Sequence, residues 1–383
     1  MTASRTCEVA IVGGGPVGAA LALALHASGI QALLLEAREA SSNVTTRRPL
    51  ALSHGSRLIL ERLGVWESLA DATPIRRIHI SQRGRFGRTV LDADQASLPA
   101  LGYVTDYAGV VGAFDAALKR AGIEVIRGAR VASIAHDPRS ARVVYDDGAG
   151  SADCIAALVA VADGSAAAAE VEVRTTDYGQ AAVTAVVTID GPHRNIAYER
   201  FTPEGPLALL PSGDAYAVVW TVAHATAADL VSATQAEFIA RLQERFGERA
   251  GRFLTASARA AQHLVLRVAE RVACGRAVLI GNAAQALHPV AGQGFNLGLR
   301  DAWELASETA RRGASSPDLP QAYAARRRLD RTGGIAFTDA LVRIFSNDFA
   351  PLAHARGAGL ALLDNLPPLK DFVARRMIFG SRG

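Results

Sequence analysis

Apolar positions in this chain repeat with two periods, a strand-like one and a helix-like one. The segment CEVAIV (7–12) is a short apolar run of strand character, 19–28 has a helical pattern closed by Gly29, and 31–35 is a second apolar run. Residues 50–64 read as a helix, 65–99 as short strands and polar turns, 110–122 as a helix and 123–126 as a strand. A three-strand meander is predicted at 131–135, 142–146 and 155–162. Residues 182–223 then read as consecutive strands, 227–246 as one helix and 277–280 as a buried strand. The C-terminal third is helical over 301–312, 321–346 and 351–364, with Pro367-Pro368 as a break. A strand-rich middle between two α/β ends predicts an α/β fold with an inserted antiparallel sheet. Residues 1–75, 100–170 and 270–330 are assigned to the outer domain, 76–99 and 171–269 to the inserted domain, and 331–383 to a C-terminal helical region.

The first strand leads directly into Gly13-Gly14-Gly15-Pro16-Val17-Gly18, which satisfies G-x-G-x-x-G through Gly13, Gly15 and Gly18. Such glycines permit a tight turn and let a pyrophosphate approach a helix N-terminus. Glu36 ends the second strand eighteen residues past Gly18, near the spacing at which an acid accepts hydrogen bonds from a ribose. Strand, motif, helix, strand and acid in this order point to a Rossmann-like dinucleotide-binding domain. A second signature stands at 276–303, RAVLIGNAAQALHPVAGQGFNLGLRDAW. There an apolar strand ends in Gly281-Asn282, His288-Pro289 follows, and Gly292-Gln293-Gly294 opens a long amphipathic helix. Small residues let backbone approach a flat ligand, and the helix start offers unpaired N–H groups and a positive dipole end. That combination suits a planar ring that must accept negative charge, such as a reduced flavin; an ordinary strand, loop and helix is the plainer alternative.

Composition narrows the function classes. The chain has 383 residues, half of them hydrophobic and 20% charged, which suits one large or two ordinary domains with a sizeable core. The formal net charge is +4, but the arginines are scattered and no nucleic-acid motif occurs. A solvated basic face, or a weak attraction to anionic lipid headgroups, explains the charge better than nucleic acid. Cys7, Cys154 and Cys274 are too few for a disulfide framework and contain no C-x-x-C pair, as expected of a reducing cytoplasm. The first ten residues lack the features of a secretory leader, and no apolar run reaches 18 residues. The nine histidines are dispersed, so no metal site is expected. Neither a G-x-S-x-G elbow nor a P-loop is present. Residues 358–379 combine leucines, a phenylalanine and basic residues, which fits either an interfacial amphipathic element or a helix packed on the outer domain.

Four segments carry a resemblance that runs nearly end to end: RRPLALS (47–53), IAYERFTPEGPLALLP (196–211), GNAAQALHPVAGQGFNLGLRDA (281–302) and LPPLKDFVARR (366–376). They resemble the FAD-dependent aromatic hydroxylases related to para-hydroxybenzoate hydroxylase. Within that family they are similar to the ubiquinone-biosynthesis subgroup, of the 2-octaprenyl-6-methoxyphenol hydroxylase type. The resemblance implies FAD as cofactor and NAD(P)H as co-substrate. It also implies O₂ chemistry through a C4a-hydroperoxyflavin, and a polyprenylated phenol as the lipophilic substrate. The family places an arginine at Arg48 near the FAD and nicotinamide phosphates, and an Asp-Gly pair at Asp163-Gly164 against both cofactors. Gly281 and Asn282 correspond to a Gly-Asp pair that receives the ribityl hydroxyls, with Asn282 as a mark of the subgroup. Pro289 shapes the pocket beside the isoalloxazine. Gly292, Gln293 and Gly294 offer amides to the flavin N1–C2=O edge, and Phe295 and Asn296 complete the motif. The chain departs from the broad family at Gly112 and Ala113, and at Ala167 and Glu170 after the Asp-Gly pair, which leaves the nicotinamide contacts unassigned. No residue is identified as a substrate base, and His288 reads equally well as structural. A cytoplasmic protein in peripheral contact with the inner face of the membrane, and with other ubiquinone-biosynthesis proteins, is expected. A hydroxylase of a soluble aromatic and a non-catalytic FAD-binding member of a biosynthetic complex are the alternatives; a flavin halogenase is disfavoured because its W-x-W-x-x-I-P motif is absent.

Overall fold

The computed structural model describes residues 5–39, 48–288, 292–345 and 350–380. In chain order its helices are α1 (Pro16–Ala27), α2 (His54–Arg62), α3 (Tyr107–Arg120), α4 (His224–Ser232), α5 (Gln235–Phe246), α6 (Gln293–Arg312), α7 (Leu319–Phe345), α8 (Ala350–Asn365) and α9 (Pro367–Phe379). Two large sheets carry the molecule. In the first, Ala277–Leu279, Ser151–Val161, Arg5–Val12, Ala32–Glu36 and Val125–Arg127 lie side by side in parallel. Strands buried on both faces need continuous apolar side chains, and Val9, Ala10, Ile11, Leu158, Val159 and Ala160 are all inaccessible to solvent. Ser151–Val161 also pairs antiparallel with Ala141–Asp146, which pairs with Arg130–His136, so the expected meander is present. Helices α1, α3 and α6 bury Leu21, Phe114 and Leu305 in the same core.

The second sheet is antiparallel except where Arg77–Gln82 runs parallel to Ile196–Thr202. Its order is Gln285–Ala286, Ala260–Ala269, Val173–Ile189, Ala215–Ala223, Gly205–Ser212, Ile196–Thr202, Arg77–Gln82 and Arg88–Asp92. One face packs Trp220, Leu209 and Tyr198 against Phe238, Leu242 and Phe246 of α5. The other turns towards the start of α6. A small sheet of Pro49–Ser53, Gly102–Asp106 and Thr73–Ile75 fills the junction.

Two local expectations are corrected. The helix expected over 50–64 begins only at His54, because Pro49–Ser53 pairs with Gly102–Asp106 as a strand. Ser53 then caps α2 by accepting a hydrogen bond from the Ser56 amide. The single helix expected over 227–246 is two, because Ala233 is extended and Thr234 with Glu237 forms a capping box that starts α5 afresh.

Candidate active site

The two glycine signatures, far apart in sequence, are brought into one cradle. Gly13 has φ +104°, and a Cβ there would lie 2.6 Å from the Asp163 backbone, so the first loop passes directly over the end of Ser151–Val161. A Cβ on Gly18 would stand 2.0 Å from the Gly13 carbonyl, which is how closely α1 sits on its own loop. Cβ atoms on Gly281 and Gly298 would meet Val17 of α1 at 3.1 and 2.9 Å. Asn282 is exposed, and its Cβ is 3.8 Å from where one would stand on Gly164. The G-x-G-x-x-G loop, the Asp163-Gly164 turn and the Gly281-Asn282 turn are therefore neighbours.

The helix starts aimed into this cradle are open. Gly15 is the N-cap of α1 and Gly292 that of α6, and neither helix has a side-chain cap. Among the described residues, no heavy atom beyond the local backbone lies within 4 Å of where a Cβ would stand on Gly15 or Gly294. Gly292 is left-handed, φ 60°, and approaches Ala51 of the junction sheet. Two helix N-termini without a side-chain cap among the described residues fit the pyrophosphate and the anionic ring of FAD.

Side chains around the cradle are held differently. Glu36 is buried and accepts hydrogen bonds from the Gly14 amide at 2.6 Å and from Arg38 Nε at 3.0 Å. Burial opposes its ionisation, but Arg38 and the Gly14 amide outweigh that and hold the carboxyl below its ordinary value. Asn296 is buried and fully engaged: Oδ1 accepts from the Ser53 amide and Ser56 Oγ, and Nδ2 donates to the Ala51 and Gly292 carbonyls. It fastens α6 to the junction sheet. Asp163 Oδ1 accepts from the Ser165 amide, and Gln293 Nε2 donates weakly to the Met377 carbonyl at 3.5 Å. Phe295 is half-buried against the main core. Pro289 lies outside the described residues.

Sequence reading missed the clamp behind the Gly281 turn. Asp301 Oδ2 accepts from the Gly281 amide at 3.0 Å and from Gln285 Nε2 at 2.7 Å, while Oδ1 accepts from Arg327 Nε at 2.7 Å. Arg331 donates to Gln285 Oε1 and to the Ala269 and Ala284 carbonyls. Two arginines of α7 and one aspartate of α6 thus set the backbone of 281–286.

A family profile described as FAD binding domain matches residues 6–333. The chain is 33% identical to ubiquinone hydroxylase UbiL of Rhodospirillum rubrum, over 98% of its own length and 90% of that protein. It belongs to the FAD-dependent ubiquinone-biosynthesis hydroxylases. The hydroxylase is also 31% identical to 3-demethoxyubiquinol 3-hydroxylase of Escherichia coli, covering 96% of this chain and 97% of that one. In fold it matches p-nitrophenol 4-monooxygenase PnpA from Pseudomonas putida, with a TM-score of 0.79 at 20% identity over 99% of this chain and all of that one.

Two departures from the broad family take definite shapes in the hydroxylase. Residues after the Asp163-Gly164 turn form only a short turn of helix, Ala167–Ala169, and Glu170 ends it left-handed at φ 51°. In α3, Ala113 is buried and Gly112 is exposed with open space around it, so neither supplies a polar side chain. Arg48, by contrast, is exposed. Its guanidinium lies over the Tyr107 ring at 5.1 Å and reaches Gln262 of Ala260–Ala269 at 3.4 Å, so it stands at the seam of the two large sheets.

The face of the second sheet that turns away from α4 and α5 carries an isolated carboxyl. Strand alternation puts Ala197, Glu199 and Phe201 on that face and Tyr198 and Arg200 on the other. Ala197 packs with Ile75 and Val104, and Val104 pairs with Ala51, which meets Gly292. Phe201 packs with Val342 and Tyr178, and Tyr178 meets the His288 ring edge-on at 5.5 Å. Glu199 is therefore bracketed by side chains that lead towards His288 on one side and Gly292 on the other. No hydrogen bond or ion pair holds it among the described residues. A small part of the residue remains accessible, but its carboxyl is enclosed by protein, and burial alone pushes it up to about 7. His288 is pushed down to about 4 by burial, so it is neutral at physiological pH.

Proposed function

We propose that this monooxygenase uses NAD(P)H and O₂ to hydroxylate the ring of a polyprenylated phenol. The observation that carries the reading is the sheet face built from Ala197, Glu199 and Phe201, apolar but for one carboxyl and linked on both sides to the flavin motif. Residues 1–75, 100–170 and 270–330 hold FAD, 76–99 and 171–269 wall the substrate, and 331–383 cover the seam. The two-residue strand Gln285–Ala286, which pairs with Ala260–Ala269, ties the FAD portion to the substrate sheet.

In this reading Gly13, whose amide donates to the Leu35 carbonyl, shapes the turn, the helix start at Gly15 and Gly18 receives the pyrophosphate, and Glu36 receives a ribose. Arg48 offers its guanidinium to phosphates entering at the seam. Asp163, Gly164, Gly281 and Asn282 line the ribityl stretch, where the Asn282 amide oxygen accepts without charge. Pro289 borders the ring, and the amides of Gly292, Gln293 and Gly294 stabilise negative charge on it. Phe295 and Asn296 fix the angle of α6. When bound, FAD supplies hydride acceptance and oxygen activation. The chain's own part is to exclude water and to accept the phenol proton, for which Glu199 is placed. The purified hydroxylase with a short-chain prenylated phenol, NAD(P)H and ¹⁸O₂ is expected to give product carrying one labelled oxygen. NAD(P)H consumption that yields only peroxide would overturn the assignment.

Glu199 must be ionised to accept a proton, so turnover is expected to rise with pH through about 7 and then level. Glu199→Gln is expected to lower kcat by roughly 10²-fold and to remove that rising limb. An unaltered pH–kcat profile in the variant would remove Glu199 from the reaction.

A membrane-dissolved phenol calls for peripheral contact with a bilayer, at its cytoplasmic face. Among the described residues no helix is long and apolar enough to cross a membrane. Ala374 and Ile378 of α9 pack against Leu91 and Leu101, while Leu362 of α8, Leu369 and Phe372 of α9, and Leu366 between the two helices are exposed. In this reading the packed side chains anchor the 358–379 segment and the exposed ones face the bilayer.

A further inference from the structure

On the opposite side of the same sheet, away from the flavin motif, lies a cavity of about 350 Å³ whose chemistry the hydroxylation does not use. Arg85, Arg88, Arg200 and Arg249 line it together with His79 and Gln82. Among the described residues none of these four arginines pairs with a carboxylate. His79 and Gln82 are each only 7% exposed. Both ring nitrogens of His79, the Gln82 amide nitrogen and Arg200 Nε are buried without a hydrogen-bond partner. Leaving such groups unpaired is costly, and uncompensated cations around one space repel each other. Register explains part of the convergence: Tyr198 pairs with His79, Arg200 with Ser81, and Ser81 with Arg88, so these side chains are delivered to one face, while Gln82 joins them from the strand end where it pairs with Phe201.

We propose that this cavity binds a phosphate group, carried by a lipid headgroup or by a soluble phosphate compound. Guanidinium forks match phosphate oxygens, and a multiply charged anion offsets several cations at once, which a single carboxylate does not. Burial, and after it Arg249 and Arg88, depress His79 below its ordinary value, the direction expected when cations crowd an imidazole without their anion. The rim favours a headgroup source. Phe86, 56% exposed, lines the cavity, and its hairpin meets α8 through Gly87 and Gly357, near exposed Leu362. The site is independent of the flavin reaction, so its test does not read turnover.

The FAD-loaded protein is titrated calorimetrically with inorganic diphosphate, and sedimented with phosphatidylcholine vesicles that contain or lack phosphatidylglycerol. Arg88 and Arg249 are exposed, so the double variant R88Q/R249Q is expected to keep its thermal midpoint without ligand. It is expected to bind diphosphate at least about tenfold more weakly. Sedimentation that requires phosphatidylglycerol and is lost in the variant assigns the phosphate to a headgroup. Diphosphate binding alone, lost in the variant, assigns it to a soluble compound. Binding that is equal in the variant marks an adventitious ion only and overturns the proposal, as does failure of both diphosphate and vesicles to bind.

Discussion

Gly18→Ala is expected to yield protein that cannot hold FAD, with affinity lower by at least about 100-fold, or about 2.7 kcal/mol. The new Cβ would stand 2.0 Å from the Gly13 carbonyl, far inside contact distance. Either α1 lifts from the loop or the loop leaves the end of Ser151–Val161, and both movements widen the cradle. Gly15→Ala provides the contrast. That position has φ −63° and open space, so alanine costs the apoprotein nothing within the fold. Its methyl occupies the room before α1 where a pyrophosphate would lie. Apo-Gly15→Ala should therefore melt like the parent yet bind FAD weakly, whereas Gly18→Ala should lose both stability and binding. Flavin-fluorescence titration and apoprotein melting separate the two. Full FAD affinity in Gly18→Ala would refute the cradle.

Removing Asp301 is expected to be the most damaging change outside the glycine loops. Its side chain is only 3% exposed and faces Arg327, which is 5% exposed. Arg327 also bonds Asp330 at 2.8 Å, but Asp330 already serves Arg300, so without Asp301 two guanidiniums share one carboxylate; breaking a buried pair costs up to about 3–5 kcal/mol. That is a large part of a domain's usual 5–15 kcal/mol. Asp301→Ala also frees the Gly281 amide and Gln285, so purified protein should carry little flavin. The double variant Asp301→Ala/Arg327→Met removes the excess cation, leaves Asp330 to Arg300, and is expected to recover part of the melting temperature. It should not recover flavin, because the 281–286 turn still lacks its acceptor. Flavin retained at the parental ratio in Asp301→Ala would show that the clamp does not set the turn.

The parts of the site legible in sequence were those built from neighbouring residues. The G-x-G-x-x-G loop, Glu36 eighteen residues on, and the Gly292 helix start each show their pattern within one short stretch, although the fold sets Gly13 against Asp163 and Gly292 against Ala51. The Asp301 clamp was not legible, because Arg327 reaches it from the next helix and no local pattern reports that pairing. Arg85, Arg88, Arg200 and Arg249 looked like a scattered, solvated set for the same reason; strand register brings Arg88 and Arg200 together, and the 83–87 turn and the segment after α5 add Arg85 and Arg249. Glu199 was visible only as a letter in the 196–211 segment. Its place as a lone acid between Ala197 and Phe201, two residues to either side, was the available signal, and strand alternation is what gives it meaning. Local structure went astray where a cap overrode periodicity. Ser53 and Thr234 each begin a helix inside a stretch whose apolar spacing reads as continuous.

The contact of Val17 with Gly281 and Gly298 has a consequence during synthesis. A ribosome has to add roughly 280 residues after Gly18 before Gly298 emerges, which at usual elongation rates takes about 15–55 s. Through that interval the nascent hydroxylase has one wall of its pocket and no opposite wall. The loading of flavin is thereby deferred to the end of translation, and any polypeptide cut short before Arg331 should leave the ribosome without colour.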